Sequence, residues 1–305
     1  MILILDSAEG PLEIGAVNSL DGTVVSRWRG SAAGSTVEDL EEGLSAVISG
    51  IAEAGGDGKP ILGNRFQKCP FQAIVIAQGP GSFTGLRIGY AFATGLASVW
   101  GIPVIEVPSL DAYAASSRSI ASGLRTRVPN ALSEEQTPWW GIVVSDARRG
   151  EWFTKYFWWS GNKLLGDDEP VIRSMHEIKI LLRNGFRDRN GKASKAIDGE
   201  ELASANLMAP MIITPGDLLP LALLVENEAD EGESSASKEV FALQLHRVPC
   251  RITAICSWII TRQPFGASAC PVESPSRMLA ALQPLYVRSV AAKTIEERDR
   301  DKDIG

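Results

Sequence analysis

The chain has 305 residues, 45% of them hydrophobic, which is enough to bury a sizeable core and favours two domains over one. Its formal net charge of −7 argues against a protein that holds nucleic acid without a partner. Four cysteines without a Cys-x-x-Cys pair are too sparse for a disulfide framework and predict a reduced, cytoplasmic setting. The apolar run at 252–260 is too short to span a bilayer, and the first residues are typical of a strand rather than a signal peptide.

The first 121 residues predict one α/β lobe, because strand patterns come first and then alternate with helix patterns. The predicted strands lie at residues 2–5, 11–17, 23–28, 71–78 and 102–107. The predicted helices lie at residues 35–55, 85–100 and 109–121. The strand at 71–78 is apolar throughout its centre, which is typical of a strand covered on both faces of the sheet.

The remaining residues predict a linker, a second lobe and an insertion. Residues 122–138 are polar and serve as the linker, and 139–225 together with 276–293 form the second lobe. The second lobe begins with two strands around a turn at 146–150, like the first lobe, and this is a weak internal repeat. Its further predicted elements are helices at 174–185 and 216–227, and a short helix and strand within 276–290. Residues 226–275 start acidic and then lack sustained periodicity, so we expect a partly disordered insertion, and 294–305 is a charged tail.

A glycine-rich loop, QGPGSFTGLRIG, runs from Gln78 to Gly89 between a predicted strand and a predicted helix. Its glycine spacing and the lack of a following lysine fit neither the P-loop nor the G-x-G-x-x-G pattern. Anion binding at the helix N-terminus remains one interpretation. A second interpretation is a purely structural turn, in which Pro80 fixes one φ angle, Gly81 adopts an unusual one, and Ser82 or Thr84 caps the helix.

A third interpretation comes from the helix that follows the loop. Gly85, Gly89, Ala93 and Ala97 recur every four residues and form a smooth ridge along which another helix can pack closely. The rest of this helix is also mostly apolar, so it must be covered on all sides. The covering element is either the first helix of the same lobe or a second protein.

The segment GPGSFTGLRIG resembles the signature of the TsaB (YeaZ) family, and further segments agree with it. They are ILILDSA, IPVIEVPSLDAYA, VVSDARRGEWFTKYF and PLYVRSVAAK. The resemblance covers roughly residues 1–225 and 276–293. The chain departs from the family where members often carry a His-Ser pair before the first helix, because Gly34-Ser35 stands there.

The resemblance implies a fold, a role and a set of partners. The fold is α/β, with two tandem lobes of the actin/Hsp70/sugar-kinase (RNase H-like) type, the second reduced. The role is that of a non-catalytic subunit that binds the catalytic paralogue TsaD in forming threonylcarbamoyladenosine in tRNA, with the ATPase TsaE joining them. In the absence of TsaD we expect a homodimer, and we expect tRNA to be met only through the complex.

The partner-binding surface that the resemblance implies consists of the loop, the helix after it and the helix at 35–54. Its predicted residues are Gly79, Pro80, Gly81, Ser82, Phe83, Thr84, Gly85, Leu86, Arg87, Gly89, Tyr90, Ala93, Ala97, Leu40, Leu44 and Val47.

Catalysis by the chain itself is the alternative, as a weak ATPase or a small-molecule kinase of the same fold. The possible anion or nucleotide residues are Asp6, Ser7, Asp146 and Arg148, at the two predicted hairpin turns. The first turn carries Glu9, which would repel phosphate, and the second lacks paired glycines. No metal site or cofactor is predicted, because the spacing of His246, Cys250 and Cys256 fits no common zinc site and His176 stands apart.

Overall fold

The computed structural model describes residues 1–30, 37–54, 69–125, 139–160, 163–166, 169–183, 211–215, 244–248, 250–262 and 282–286. The strands in these residues are β1 Ile2–Asp6, β2 Glu13–Val17, β3 Val24–Arg29, β4 Ala73–Gly79, β5 Val104–Pro108, β6 Trp139–Arg148, β7 Glu151–Ser160, β8 Lys163–Gly166, β9 Val171–Ser174, β10 Met211–Thr214 and β11 Gln244–Arg247. The helices are α1 Val37–Ala54, α2 Phe83–Trp100, α3 Ser109–Arg125, α4 Met175–Arg183 and α5 Arg251–Arg262. None of these helices is long and apolar enough to cross a membrane.

Two mixed sheets repeat one strand order. The first sheet runs β3-β2-β1-β4-β5, with β1 to β3 antiparallel and β4 and β5 parallel to β1. The second runs β8-β7-β6-β10-β11 with the same directions, and β9 adds to β7. The weak internal repeat in the sequence is therefore a repeat of the whole sheet, and the reduction expected for the second lobe does not extend to its strands.

Register places the helices of the first lobe on opposite faces of its sheet. Leu5 of β1 pairs with Ile14 of β2 and with Ile76 of β4, so these three side chains point to one face. A Cβ at Gly43 of α1 would contact Ile14, and a Cβ at Gly89 of α2 would lie 3.6 Å from Ile76, so α1 and α2 cover this face. A Cβ at Gly15, on the other face, would contact Ile252 of α5. Both faces of β4 are covered, as its apolar sequence predicted.

Every element predicted for the first lobe is present, with bounds shifted by a few residues. In the second lobe the hairpin strands β6 and β7 and the helix α4 are also confirmed. The four-residue strands β8, β9 and β10 were not predicted, because strands this short carry little periodicity. The predicted helix at 216–227, most of the linker and the tail lie outside the described residues, and the described part of 276–290 contains neither helix nor strand.

The segment 226–275 was predicted as a partly disordered insertion outside the two lobes, and its described residues differ from that expectation. Its described residues contain β11 and α5, the last strand of the second sheet and a helix that packs on the first sheet. Ile252, Ile255 and Ile259 of α5 belong to the apolar core around β1 and β4. These isoleucines are three and four residues apart, as in an amphipathic helix. The sequence did not reveal the helix, because polar and proline-rich stretches flank it on either side. Residues 226–243 lie outside the described part.

The small-residue ridge of α2 faces the interior of the chain's own fold. Gly85, Gly89, Ala93 and Ala97 are all buried. A Cβ at Gly89 would overlap the side chain of Ser7, which is held in the turn after β1. The ridge therefore lets α2 approach its own sheet and the turn after β1 closely, whereas the sequence had named the first helix or a second protein as the covering element.

Replacing Gly89 by alanine should lower the free energy of unfolding by about 1–3 kcal/mol, the usual cost of overpacking. Gly95 lies on the exposed face of the same helix with no heavy atom near its missing Cβ, so Gly95→Ala should raise stability by about 0.5–1 kcal/mol. Urea unfolding of both variants measures the difference. Equal effects of the two substitutions would contradict the inward orientation of the ridge.

Candidate functional site

The glycine-rich loop is joined to the turn after β1. The Ser82 N–H donates to the Ala8 carbonyl at 2.6 Å, and a Cβ at Gly81 would overlap that carbonyl. The unusual φ angle is at Gly79 (+96°) rather than at Gly81 as predicted. The Gly79 N–H donates to Ser109 Oγ at 3.1 Å. The loop is thus fixed by the turn after β1 and by the first residue of α3, as the structural interpretation expected.

Helix α2 has a cap at each end, and the one at its start is one of the two residues that the sequence indicated. Ser82 is the N-cap, and its hydroxyl accepts from the Gly85 N–H at 3.2 Å. Thr84, the other capping candidate, is exposed in the first turn. Gly101 ends the helix in the left-handed conformation, and its N–H donates to Ala97 O.

The two long sides of α2 differ. The Tyr90 hydroxyl donates to Glu106 Oε1 of β5 at 2.6 Å, so this side of the helix faces the outer strand of the sheet. Ile88 and Phe92 lie two residues before and after Tyr90, which places them on the opposite side of the helix. Both are half-buried. Because β5 is the last strand, that opposite side faces α1.

Helix α1 presents a matching side to α2. A Cβ at Gly50 would meet Ser26 of β3, the strand at the other edge of the sheet. Ile48 lies two residues before Gly50 and Leu44 one turn earlier, so both point away from β3 and towards α2. Both are half-buried and pack against the core.

These residues form a continuous apolar strip between two helices, here named the α1–α2 surface. It comprises half-buried Leu44, Ile48, Ile88 and Phe92, with exposed Ser45, Ala91 and Gly95 on their outer side. Small exposed residues beside a half-buried apolar strip leave room for another helix to pack.

The predicted partner residues divide between this surface and the interior. Leu40, Val47, Leu86, Tyr90 and the ridge residues are buried in the chain's own core. Leu44 belongs to the α1–α2 surface, and Phe83, Thr84 and Arg87 are exposed at the start of α2. The sequence missed Ile48, Ile88 and Phe92. Their spacing was visible, but a helix that is apolar nearly all round does not reveal which of its sides faces the sheet.

An aromatic and cationic group stands at the start of α2. The rings of Phe83 and Tyr286 lie 5.2 Å apart, and the Arg87 guanidinium lies 3.9 Å from the Phe83 ring centre. The segment that carries Tyr286 is held by the strand ends, since the Leu285 N–H donates to Gln78 O at 2.9 Å. Side chains of this type are frequent in protein interfaces.

A buried ion cluster joins the two lobes at the end of β1. Arg251 Nε lies 3.5 Å from Asp6 Oδ2 and 3.4 Å from Glu13 Oε1, and all three side chains are almost fully buried. The guanidinium also donates to the backbone oxygens of Glu9 and Pro11. All three nitrogens of the guanidinium therefore already have protein partners.

Two further contacts complete this interlobe ion cluster. The Tyr113 hydroxyl of α3 donates to Asp6 Oδ2 at 3.3 Å. The Ser145 hydroxyl of β6 donates to the carboxylate of Glu9, which links the first turn of one lobe to the central strand of the other. The first turn, which would face a nucleotide in a kinase of this fold type, is therefore joined to the strand that leads into the second turn.

Burial governs the protonation of the cluster. It raises the pKa of Asp6, with Arg251 acting in the opposite direction. It raises the pKa of Glu9 to about 7, and the hydrogen bond from Ser145 and the charge of Arg251 oppose this. Burial alone would lower the pKa of Arg251, but the charges of Asp6, Tyr113 and Glu13 raise it. The guanidinium thus stays charged.

The remaining anion candidates do not converge with Asp6 on a cationic pocket. Ser7 is buried, and its hydroxyl has no hydrogen-bond partner among the residues that the structure describes. Asp146 and Arg148 pair with each other at 3.6 Å on the exposed β6–β7 turn, where Arg148 has a φ angle of +65°. Asp146 also accepts from the Arg148 N–H at 2.7 Å, which is a turn contact.

The sequence named four candidate metal ligands, and the structure describes the side chains of three of them. The described residues contain no group of three or more His, Cys, Asp or Glu side chains placed to hold a metal ion. His176 is exposed on α4, and Cys250 and Cys256 are buried in the apolar core.

Substituting Arg251 by methionine should lower the free energy of unfolding by about 3–5 kcal/mol, because Asp6 and Glu13 would remain buried without their shared cation. Arg29 is the matched control, since it lies 3.7 Å from Glu13 but its side chain is 43% exposed. Arg29→Met should cost less than about 1 kcal/mol. Denaturant unfolding measures both, and similar losses would contradict a special role of Arg251.

Glu9 should make the protein less stable as pH rises. Its folded pKa is raised above the ordinary value of 4.5, so the stability present below pH 4.5 is lost as the pH rises through about 7. Glu9→Gln removes this effect and keeps an acceptor for Ser145. Unfolding free energies from pH 4.5 to 8 should therefore fall more steeply for the wild type than for the variant. Parallel curves would show that Glu9 ionises freely.

Comparisons with known proteins agree with this architecture. A family model for TsaD, tRNA N6-adenosine threonylcarbamoyltransferase, matches residues 64–136, about a quarter of the chain. A Bacillus subtilis protein named tRNA threonylcarbamoyladenosine biosynthesis protein TsaB is 35% identical over 35% of this chain and 47% of its own length. A Haemophilus influenzae protein of the same name is 23% identical over 45% of this chain and 58% of its own length.

The matches cover 18% to 58% of the length of the curated relatives. A solved structure, YeaZ from Pseudomonas aeruginosa, is similar over 94% of this chain and 99% of its own, with 15% identity and a TM-score of 0.50. The fold is the expected one, with tandem α/β lobes of the actin/Hsp70/sugar-kinase type. The sequence motifs, the two partial TsaB matches and the fold agree, and together they make this chain similar to the TsaB (YeaZ) family.

Proposed function

We propose that this chain is a non-catalytic subunit in the formation of threonylcarbamoyladenosine in tRNA, and that it binds a TsaD-type catalytic subunit through the α1–α2 surface. The observation that carries the proposal is the apolar strip between the two helices. Ile88 and Phe92 of α2 and Leu44 and Ile48 of α1 are only half-buried in the isolated chain. A partner helix pair would complete their burial.

The strip fits a helical partner in shape as well as in polarity. The residues outside the apolar strip are Ser45, Ala91 and Gly95, all small. Small residues allow helix axes to approach to about 8 Å, so large side chains of the partner could reach Ile88 and Phe92. The exposed aromatic group at Phe83 and Tyr286 extends the surface at the start of α2.

Charge favours a protein over RNA as the direct partner. Helix α1 carries acidic residues on its exposed side and no lysine or arginine. They are Glu38, Asp39, Glu41, Glu42 and Glu53. A polyanion would be repelled from this side, so tRNA would be met only through the complex. A TsaE-type ATPase would likewise join through the assembled pair.

The ion cluster supports a subunit without its own chemistry. Phosphate binding by a kinase or an ATPase of this fold type needs free cations or N–H groups facing the cleft. Arg251 is instead held by Asp6 and Glu13, and Glu9 bridges to Ser145 in that cleft. Binding a phosphate there would require breaking these contacts and overcoming the repulsion of three carboxyl groups.

The proposal predicts the effect of bulky charges on the α1–α2 surface. Ala91→Arg and Ser45→Arg should each weaken binding to the organism's TsaD-type subunit at least tenfold, because an arginine would hold the two helix pairs apart. Both positions are exposed, so the variants should unfold at the same denaturant concentration as the wild type. Binding is measured by titration calorimetry, and reconstituted tRNA modification should fall in parallel.

Thr253→Arg is the matched control, because Thr253 is exposed on α5, on the opposite side of the first sheet. It should bind like the wild type. Sedimentation of the isolated chain adds a second measurement, since a homodimer through the same strip should dissociate in Ala91→Arg and persist in Thr253→Arg. Folded variants at Ala91 and Ser45 with unchanged affinity would place the interface elsewhere.

A further inference from the structure

A cavity of about 390 Å³ opens between the two lobes, apart from the ion cluster and the α1–α2 surface. It lies at the carboxyl ends of the parallel strands β4 and β5, the position at which open α/β sheets usually bind ligands. Its volume is in the range of small-molecule sites. Most of its walls are rigid and apolar, and they include Pro80, Pro108, Leu110, Pro170 and Leu285.

One strongly buried cation lines this cavity. Lys155, in the middle of β7, has a side chain that is only 10% exposed. Its ammonium lies 2.6 Å from Asp111 Oδ1 in the first turn of α3, and Asp111 is the one partner that the described residues give it. An ammonium has three N–H donors, so two remain for a ligand. Burying a lysine in the centre of a sheet is costly, and lysines placed so are frequent at functional sites.

The charges around the cavity define the kind of ligand. Its described lining carries one positive side chain, Lys155, and two negative ones, Asp111 and Glu169. A phosphate would meet this net negative lining with too few donors. A simple amine would face Lys155. A molecule with both a carboxylate and an ammonium satisfies Lys155 at the inner end and Glu169 at the rim, where Glu169 is exposed and no described residue pairs with its carboxylate.

We propose that this interlobe cavity binds a small amino-carboxylate zwitterion with an apolar side chain, of the α-amino-acid class. The ligand carboxylate accepts from the Lys155 ammonium. The ligand ammonium pairs with Glu169, and the apolar side chain lies against the proline and leucine walls. None of these side chains belongs to the α1–α2 surface, and Tyr286 is a lining residue that the cavity shares with the aromatic group at the start of α2.

Three related probes test the charge pattern on the full-length chain. L-leucine carries both charges, 4-methylpentanoate lacks the ammonium, and 3-methylbutylamine lacks the carboxylate. Ligand-observed saturation-transfer NMR and titration of the protein's amide spectrum should give a dissociation constant on the order of 1 mM for leucine, because the probe is small. Each of the other two probes should bind at least tenfold more weakly. The amide signals of Leu110 and Leu285 should shift.

Variants separate a built site from nonspecific contact. Lys155→Met should weaken leucine binding at least tenfold, whereas Lys163→Met, on the exposed strand β8, should leave it unchanged. Glu169→Gln at the rim keeps the shape of the side chain but removes its charge, so it should also weaken leucine binding. If Lys155→Met fails to fold, the result for Glu169→Gln tests the proposal. Equal binding of the three probes, no binding of any of them, or unchanged affinity in Glu169→Gln would each overturn the proposal.

Discussion

The close approach of α2 to the turn after β1 determines most of what this molecule can present to a partner. At Gly81 and Gly85 the first carbon of any side chain would meet the backbone of Ala8 or Ser7, and at Gly89 it would meet the Ser7 side chain. Side chains at these positions would push the helix off the sheet. With the ridge fixed inward, Tyr90 faces β5, and Ile88 and Phe92 are turned towards α1. The position of the proposed partner surface thus follows from the close contacts that require glycine at these positions.

The same turn also supplies the acidic side of the interlobe ion cluster. Asp6 ends β1 and Glu13 begins β2, and antiparallel pairing brings the two carboxylates side by side on the face opposite α2. Two neighbouring buried carboxylates need a cation, and Arg251 at the start of α5 provides it from the far end of the chain. A position that could hold a catalytic acid is thereby used to join the lobes.

Local signals made the first lobe predictable and left parts of the second obscure. Strands such as β1 and β4 are continuous apolar runs, and α1 has regular spacing, so each could be identified from its own residues. Strands β8 to β10 are only four residues long, and α5 lies between segments without clear pattern. Such elements are stabilised by sheet pairing and by core contacts with the first lobe, which a window of neighbouring residues does not contain.

The sequence alone determined the α/β class, the caps of α2, the family resemblance and the special character of the loop from Gly79 to Gly85. These features depend on local backbone requirements or on short motifs, so neighbouring residues suffice to define them. Only the tertiary structure decided that the small-residue ridge faces inward, that Ile48, Ile88 and Phe92 form the open strip, and that Arg251 neutralises Asp6. Each of these depends on which side of a helix meets the sheet or on contacts between residues more than two hundred positions apart. Such relations are fixed by packing, which the order of residues along one element does not reveal.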